Sequence, residues 1–242
     1  MKMHMHTGAT LAVKNMKGCL WRRSKVDLHM LPALPSSPEK PLDVAIADMS
    51  SRLRPHLAII DGTVGLEGLG PSAGRPKVLG AVVVSADAFA ADAVACRLMG
   101  TEAEKVPHLR MGAERGYGII DMGRLRVTPE DWRELAVTFA PPPENLTIEF
   151  PNITVVDRSS CSACQSTLML FLARHKEAIF DYFPEGTKIH IAIGKGHADL
   201  PEGTLLVGNC TAHHRDKGIF VPGCPPVGSQ ILAALSGKRR GD

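Results

Sequence analysis

The sequence predicts an α/β protein built from two small blocks with mainly parallel sheet, and three observations predict it. Short apolar runs recur along the chain, each ending at a polar or glycine-rich turn. Several of them lead directly into a helical pattern, and strand, short loop and helix in succession form the repeating unit of a parallel sheet. A proline-rich stretch, residues 139–152 with Ala140-Pro141-Pro142-Pro143, cannot continue a helix and separates residues 1–138 from residues 153–242 as a stiff linker.

In the first block, Leu57–Ile60 is a short apolar run ending at Asp61-Gly62, and Val78–Val84 is a second. The alanine-rich segment Asp87–Cys96 follows at once and reads as a helix, with Asp87 placed to cap it. Pro129–Val137 reads as another short helix, with Thr128 at its N-cap and Pro129 at its first position. Leu31–Pro41 holds four prolines and reads as an extended surface loop. In the second block, Ile153–Asp157, Ile189–Ile193 and Leu205–Val207 are predicted strands. Ser159 to Phe180 carries Leu168, Phe171, Leu172 and Ile179 at helical spacing, and Val227–Leu235 is a closing helix.

With 44% hydrophobic and 22% charged residues in 242, the chain has ample material for a core. A net charge of +3 and 5% aromatic residues give neither the basic footprint nor the stacking platforms of a nucleic-acid binder; the one basic run, Lys238–Arg240, reads as a solvated tail. No run of about 18 apolar residues predicts a membrane span, and the N-terminus lacks the apolar core of a signal peptide, so the expectation is a cytoplasmic protein without membrane insertion. In such a compartment six cysteines are read as metal ligands, reactive thiols or small buried residues rather than disulfides.

Four of the six are spaced Cys161-x2-Cys164, then 45 residues, Cys210, then 13 residues, Cys224. Each turn follows a predicted strand, and in a parallel sheet those strand ends lie along one edge, where four thiols can converge. The helix that opens after Cys161 favours thiolate charge. Four convergent thiolates suit an iron–sulfur cluster and also a zinc ion, because both accept tetrahedral sulfur. Cys19 and Cys96 stand apart and read as inert.

Three strings carry a resemblance: Cys161-Ser162-Ala163-Cys164-Gln165-Ser166, Gly208-Asn209-Cys210-Thr211-Ala212 and Val221-Pro222-Gly223-Cys224-Pro225-Pro226. They resemble motifs of nickel–iron hydrogenase small subunits, and the last two also those of the cluster-bearing subunit of respiratory quinone oxidoreductases. The resemblance implies one [4Fe–4S] cluster on Cys161, Cys164, Cys210 and Cys224, set on a flavodoxin-like sheet. The intervals between the motifs are shorter here and no further cluster cysteines follow, so the cluster carries over and the hydrogenase reaction does not.

The N-terminal string His4-x-His6-Thr7-Gly8, with Lys14-Asn15-Met16-Lys17-Gly18, combines imidazoles with two lysines that can act as point charges toward a carboxylate or phosphate. The string from Asp61-Gly62 to Gly74 is glycine-rich and follows a strand; its amides can cradle an anion, or its glycines can serve turns alone. It lacks the spacing of a dinucleotide or P-loop fingerprint. His6-Thr7, Lys14-Asn15-x-x-Gly18, Asp61-Gly62, Gly70-Pro71-x-x-Gly74 and Ser85-x-Asp87-x-x-x-x-Asp92 together resemble the domain-of-unknown-function family three-six-two over about residues 3–100. Its members usually carry another α/β segment before this point, so the expectation is either an internal start at Met1 or a truncated form of the chain.

These readings lead to a cytoplasmic cluster-binding redox protein, an oxidoreductase or electron carrier, with a redox partner protein or a small anionic substrate. His6, Lys14, Asn15, Lys17 and Asp61 are its candidate catalytic set. A homo-oligomer is compatible with the sequence. Two alternatives come from other classes: a non-catalytic four-cysteine zinc or cluster scaffold, and a metal-independent enzyme that uses the His/Lys/Asp set alone. His213-His214 read as solvated loop histidines, and Gly194-Lys195-Gly196-His197 as a turn after a strand.

Overall fold

A computed structural model describes residues 1–21, 24–28, 31, 39–71, 74–142 and 147–237. Most of the proline-rich loop between Leu31 and Pro41, residues 72–73 of the glycine-rich string, residues 143–146 of the expected linker and the basic run Lys238–Arg240 lie outside the described residues. The chain divides into two compact units, Met1–Pro142 and Pro143–Asp242. Among the described residues no helix is long and apolar enough to cross a membrane.

The first unit runs β1 (Lys2–His4), β2 (Gly8–Thr10), α1 (Ala12–Asn15), α2 (Ser24–Asp27), α3 (Pro41–Ser50), β3 (Ala58–Glu67), β4 (Arg75–Ser85), α4 (Ala88–Leu98) and α5 (Pro107–Glu114). Its sheet has the order β2-β1-β3-β4. The α/β class holds, but this sheet is mainly antiparallel: β1–β2 and β3–β4 are antiparallel, and the single parallel contact joins β1 to β3 at Lys2 and Leu66. The reason is loop length. Only residues 68–74 separate β3 from β4, and a parallel crossover needs a dozen residues or more.

One face of this hairpin turns Ala58, Ile60, Leu79 and Val83 inward, against Phe89, Ala91, Val94 and Leu98 of α4. Small alanine side chains let α4 be buried on nearly every side. The other face leaves Ile59, Val64, Val78, Val82 and Val84 more than half exposed, as the two-residue period of a strand requires. Asp87 caps α4 as expected: its Oδ1 accepts from the N–H groups of Phe89 at 2.8 Å and Ala90 at 3.3 Å. The helix expected over Pro129–Val137 is a single 3₁₀ turn, Trp132–Leu135, with Asp131 rather than Thr128 at its N-cap. Its bonds reach back three residues, Trp132 to Pro129 and Glu134 to Asp131.

The second unit runs β5 (Thr147–Phe150), β6 (Ile153–Asp157), α6 (Ser162–His175), β7 (Ile189–Ile193), β8 (Thr204–Val207), β9 (Gly218–Val221) and α7 (Gly228–Leu235). β6 through β9 are parallel neighbours, and β5 adds an antiparallel edge from within the expected linker. The hairpin β5–β6 turns through Pro151-Asn152, with Asn152 at φ 60°. Strand order is therefore sequential, β5-β6-β7-β8-β9, whereas a flavodoxin-like sheet runs 2-1-3-4-5. β7 and β8 are buried along almost their whole length, as the middle of a parallel sheet covered by helices demands. The long helix expected from Ser159 to Phe180 ends at His175 and resumes as a 3₁₀ turn over Ala178–Tyr182.

Candidate functional site

In the second unit the register places Asp157, Ile193, Val207 and Val221 in one row across the sheet, each the last residue of its strand. The turns that follow carry Cys161 and Cys164 after β6, Cys210 after β8 and Cys224 after β9. Sequence reading predicts this edge, and the structure brings the four thiols to it. Cys161 is the N-cap of α6 and Cys164 lies in the helix's first turn, 4% exposed. A hydrogen bond between the thiols of Cys164 and Cys161, then burial, then the nearness of Cys161, Cys210 and Cys224 push the Cys164 thiol above its ordinary value. Burial and the nearby Cys161 push the Cys210 thiol up too, opposed by the charge of Lys195. Among the described residues no three His, Cys, Asp or Glu side chains are grouped tightly enough to hold a single metal ion.

Residues beside the cysteines lock the turns to one another. Asn209 donates its N–H to the carbonyl of Gly223 at 2.9 Å, and its Oδ1 accepts from the Gly223 N–H at 2.9 Å. This reciprocal pair joins the residue before Cys210 to the residue before Cys224. Gly208, at φ 97°, donates to the carbonyl of Val221, and a Cβ there would stand 3.2 Å from the Cys164 sulfur. A side chain at that position would therefore be strained in backbone and would crowd the thiol.

At the other end of the row, the Asp157 carboxylate accepts from the Ser160 N–H at 3.0 Å, from the Ser160 hydroxyl at 2.9 Å and from Gln165 Nε2, fixing the turn that leads to Cys161. His197 Nε2 lies 2.9 Å from the carbonyl of Ile193, and His214 Nε2 lies 3.1 Å from the carbonyl of His197. Because a carbonyl only accepts, both nitrogens carry protons. His214 is thus buried and bonded, contrary to its reading as a solvated residue; its neighbour His213 is exposed. The pair ties the turn after β7 to the segment that carries Cys210.

In the first unit the candidate set is split. Asp61 lies on the outer face of β3, exposed; its Oδ1 accepts from the Thr63 N–H at 2.8 Å and its carbonyl accepts from the N-terminal ammonium at 2.7 Å. Lys14 lies on α1, which belongs with α3 and α4 on the inner side of the sheet, so the sheet separates Lys14 from the Asp61 carboxylate. Asn15 is exposed. His6 joins the group through its backbone: its N–H donates to His4 Nδ1, and its carbonyl accepts from Lys40, the N-cap of α3, at 2.8 Å. His4, rather than His6, is the buried imidazole, 1% exposed. The first half of the glycine-rich string, residues 61–67, lies in β3 itself. A Cβ on Gly70 would fall 1.9 Å from the carbonyl oxygen of Met3, so this glycine permits close backbone approach.

Lys14 is 9% exposed, and burial, with the neighbouring charge of Lys17, lowers its pKa to about 8; Asp43 works the other way and Lys2 in the same sense. Asp43 and His108, each 1% exposed, were not marked by any motif; Asp43 Oδ1 meets His108 Nδ1 at 3.0 Å. The available signal was slight: each is a polar residue shortly after a proline that starts a helix, Pro41 and Pro107. Asp92 is fully buried and caps α1, accepting from the N–H groups of Ala12 at 2.7 Å and Val13 at 3.0 Å.

Residues 1–97 match the family described as Domain of unknown function (DUF362). A thylakoid-associated protein of Synechocystis sp. is 28% identical over 119 residues, 49% of this chain and 36% of that protein, so the chain spans about a third of its relative's length. No solved structure matches the chain. Of the two sites, the Lys14 region lies inside the family match, and the four cysteines lie beyond it.

Proposed function

We propose that the second unit binds a [4Fe–4S] cluster through Cys161, Cys164, Cys210 and Cys224, and that the protein passes single electrons or supports a cluster-dependent reaction on a small anionic substrate. The observation that carries this reading is the shared row of strand ends, with the residues before Cys210 and Cys224 hydrogen-bonded to each other. The donor set fits the group. Cys161, Cys210 and Cys224 all act on the Cys164 thiol and raise it, and a buried Ser166 hydroxyl, two residues after Cys164, has no partner among the described residues. A single zinc ion asks for sulfurs gathered about one point, at about 2.3 Å from it. A cluster takes one thiolate per iron over a wider span.

Bound there, the cluster supplies single-electron storage whose potential is set by charge, hydrogen bonds to sulfur and exposure. The chain's own residues set those conditions. Asn209 and Gly223 fix the separation of two thiols, Asp157 holds the turn of a third, Cys164 forms the buried wall, and Lys195 contributes positive charge beside Cys210. Anaerobically purified protein is expected to be brown, to absorb broadly near ~400 nm and to contain about four irons per chain. Colourless protein with one zinc per chain overturns the proposal. The substrate part rests on Lys14 and Lys17 of the first unit, whose charges favour an anion.

A further inference from the structure

In the first unit β4 ends the sheet order β2-β1-β3-β4, so one of its sides has no neighbouring strand among the described residues. The two halves of that edge differ. Arg75, Pro76 and Lys77 begin the strand, and a bulge follows. Gly62 faces Ala81 while Val64 faces Val78, which leaves one extra residue in β4 at Leu79-Gly80, with Gly80 at φ 79°. Charge, proline and bulge are devices that keep a strand edge from pairing with another chain. Residues 81–85, Ala-Val-Val-Val-Ser, carry none of them.

The open backbone groups of this second half follow from the register. The N-terminal ammonium, at the β1 side of β3, reaches the Asp61 carbonyl at 2.7 Å, so Asp61 turns its backbone away from β4. Asp61 lies opposite Val82, and Ile59 opposite Val84. Opposite residues of an antiparallel pair alternate between those that bond to each other and those that both face away. Val82 and Val84 therefore direct N–H and C=O outward from the sheet, and among the described residues no backbone hydrogen bond is made to them there. A groove of about 350 Å³ runs beside the same stretch, within the roughly 300–1,000 Å³ of ligand pockets. Side chains of a strand alternate between faces, so a hollow on one face is lined by every second residue. Here all of residues 81–85 line it, which places it along the edge itself. Val94 and Leu98 of α4 lie on its inner side, and residues 125–129 with Trp132 form the remaining wall.

We infer that this groove docks a single extended, acidic peptide segment of a partner protein, which joins the four-stranded sheet as one more strand beside β4. Its backbone bonds Val82 and Val84. The residue opposite Val83 shares the inward face of that buried valine, beside Val94 and Leu98, and is apolar. A carboxylate at the end of the segment meets Arg126, which lines the groove and forms no ion pair among the described residues. The inference is independent of the cluster and of the anion reading of Lys14. A small apolar molecule would fill the groove and leave the N–H and C=O groups of Val82 and Val84 bare. A second copy of this chain would bring a β4 flanked by its own residues 125–129 and Trp132, and two walled edges cannot enter each other's grooves. A lone strand has no such flank.

The test titrates the full chain into a capped fluorescent peptide, Ser-Glu-Val-Ile-Val-Glu-Ser, and reads anisotropy. In an extended chain alternate N–H groups face β4, so N-methylating the two valines should weaken binding at least about tenfold, and N-methylating the isoleucine should leave it nearly unchanged. Equal or reversed effects overturn strand addition. Exchanging the glutamates for lysines should weaken binding, and Arg126→Glu should reverse that preference; a preference that Arg126→Glu leaves unchanged overturns the acidic assignment. Val82→Pro removes an outward N–H that β3 does not use, so it should abolish binding with the circular dichroism spectrum intact. No binding at millimolar peptide overturns the site. A dimer in sedimentation that Val82→Pro dissolves overturns it too, by giving the edge to a second copy. The N-methyl comparison on the unaltered protein decides the matter even if Val82→Pro does not fold.

Discussion

The two units gather their functional residues by opposite means. In the second unit every candidate ligand follows a strand of one parallel sheet, and the register Asp157–Ile193–Val207–Val221 sets the turns side by side. In the first unit the sheet supplies almost nothing to the buried group: Lys14 comes from α1, Asp43 from α3 and His108 from α5. A parallel sheet gives a site whose members are ordered by hydrogen-bonded backbone. A group assembled from short helices depends on packing and on buried charge. The first kind tolerates polar change around it; the second titrates and destabilises when a charge is removed.

The largest effect should come from the thiols. Cys161→Ser, Cys164→Ser, Cys210→Ser and Cys224→Ser are each expected to lose or destabilise the cluster, measured as iron per chain and visible absorption, whereas Cys19→Ser and Cys96→Ala should keep the full complement. Cys96 is buried on α4 with its thiol pushed well above its ordinary value by burial, an inert side chain on the far side of no strand end. Full iron retention in the Cys224→Ser protein would remove the contrast between the units at its source.

Next come stability effects. Leu205→Ala, at a side chain 0% exposed in the parallel sheet, should cost about 2–5 kcal/mol in chemical denaturation. Asp92→Ala in the first unit should cost about 2–4 kcal/mol, because two N–H groups, one buried and one partly buried, lose their acceptor at once. Asp92 also carries a pH signature. Burial raises its pKa to about 7 despite those two donors, so the folded protein retains a proton that the unfolded chain releases near 4. Its contribution is greatest at low pH and is lost as the pH rises from about 4 to about 7, and Asp92→Ala should remove that slope.

Lys14 should give a slope of the other sign. Its folded pKa of about 8 lies below the ordinary value of a lysine, so the unfolded chain binds the extra proton and stability rises with pH between about 8 and about 10.5. Lys17, Asp43 and Lys2 are the charged groups that act on it. Lys14→Met should flatten the rise, read as denaturation midpoints at several pH values; an unchanged curve would show that Lys14 is not buried as a cation. The smallest effects belong to the outer face of β3 and β4. Ile59→Thr and Asp61→Asn, both at exposed positions, should change stability by no more than about 0.5 kcal/mol.

The second unit was legible because its signals are local. Apolar runs bounded by turn residues gave β6, β7 and β8 within a residue of their ends, and a parallel sheet puts successive strand ends on one edge whatever else the chain does. That Cys161, Cys164, Cys210 and Cys224 share an edge followed from those two facts. Composition could not supply the Asn209–Gly223 bond that spaces two of them, since it joins residues fourteen apart through a side chain whose partner is backbone. In the first unit the same local signals found β3, β4 and α4 but misjudged the sheet, because loop length and pairing, not the apolar runs, decide whether neighbours run parallel. Lys14 was visible as a lysine near a glycine. That it is buried, that Asp61 faces away from it, and that Asp43 and His108 are buried against each other were decided by tertiary packing alone. No spacing in a chain records which faces of three short helices meet, and only that meeting removes water from the charges and gives them their chemistry.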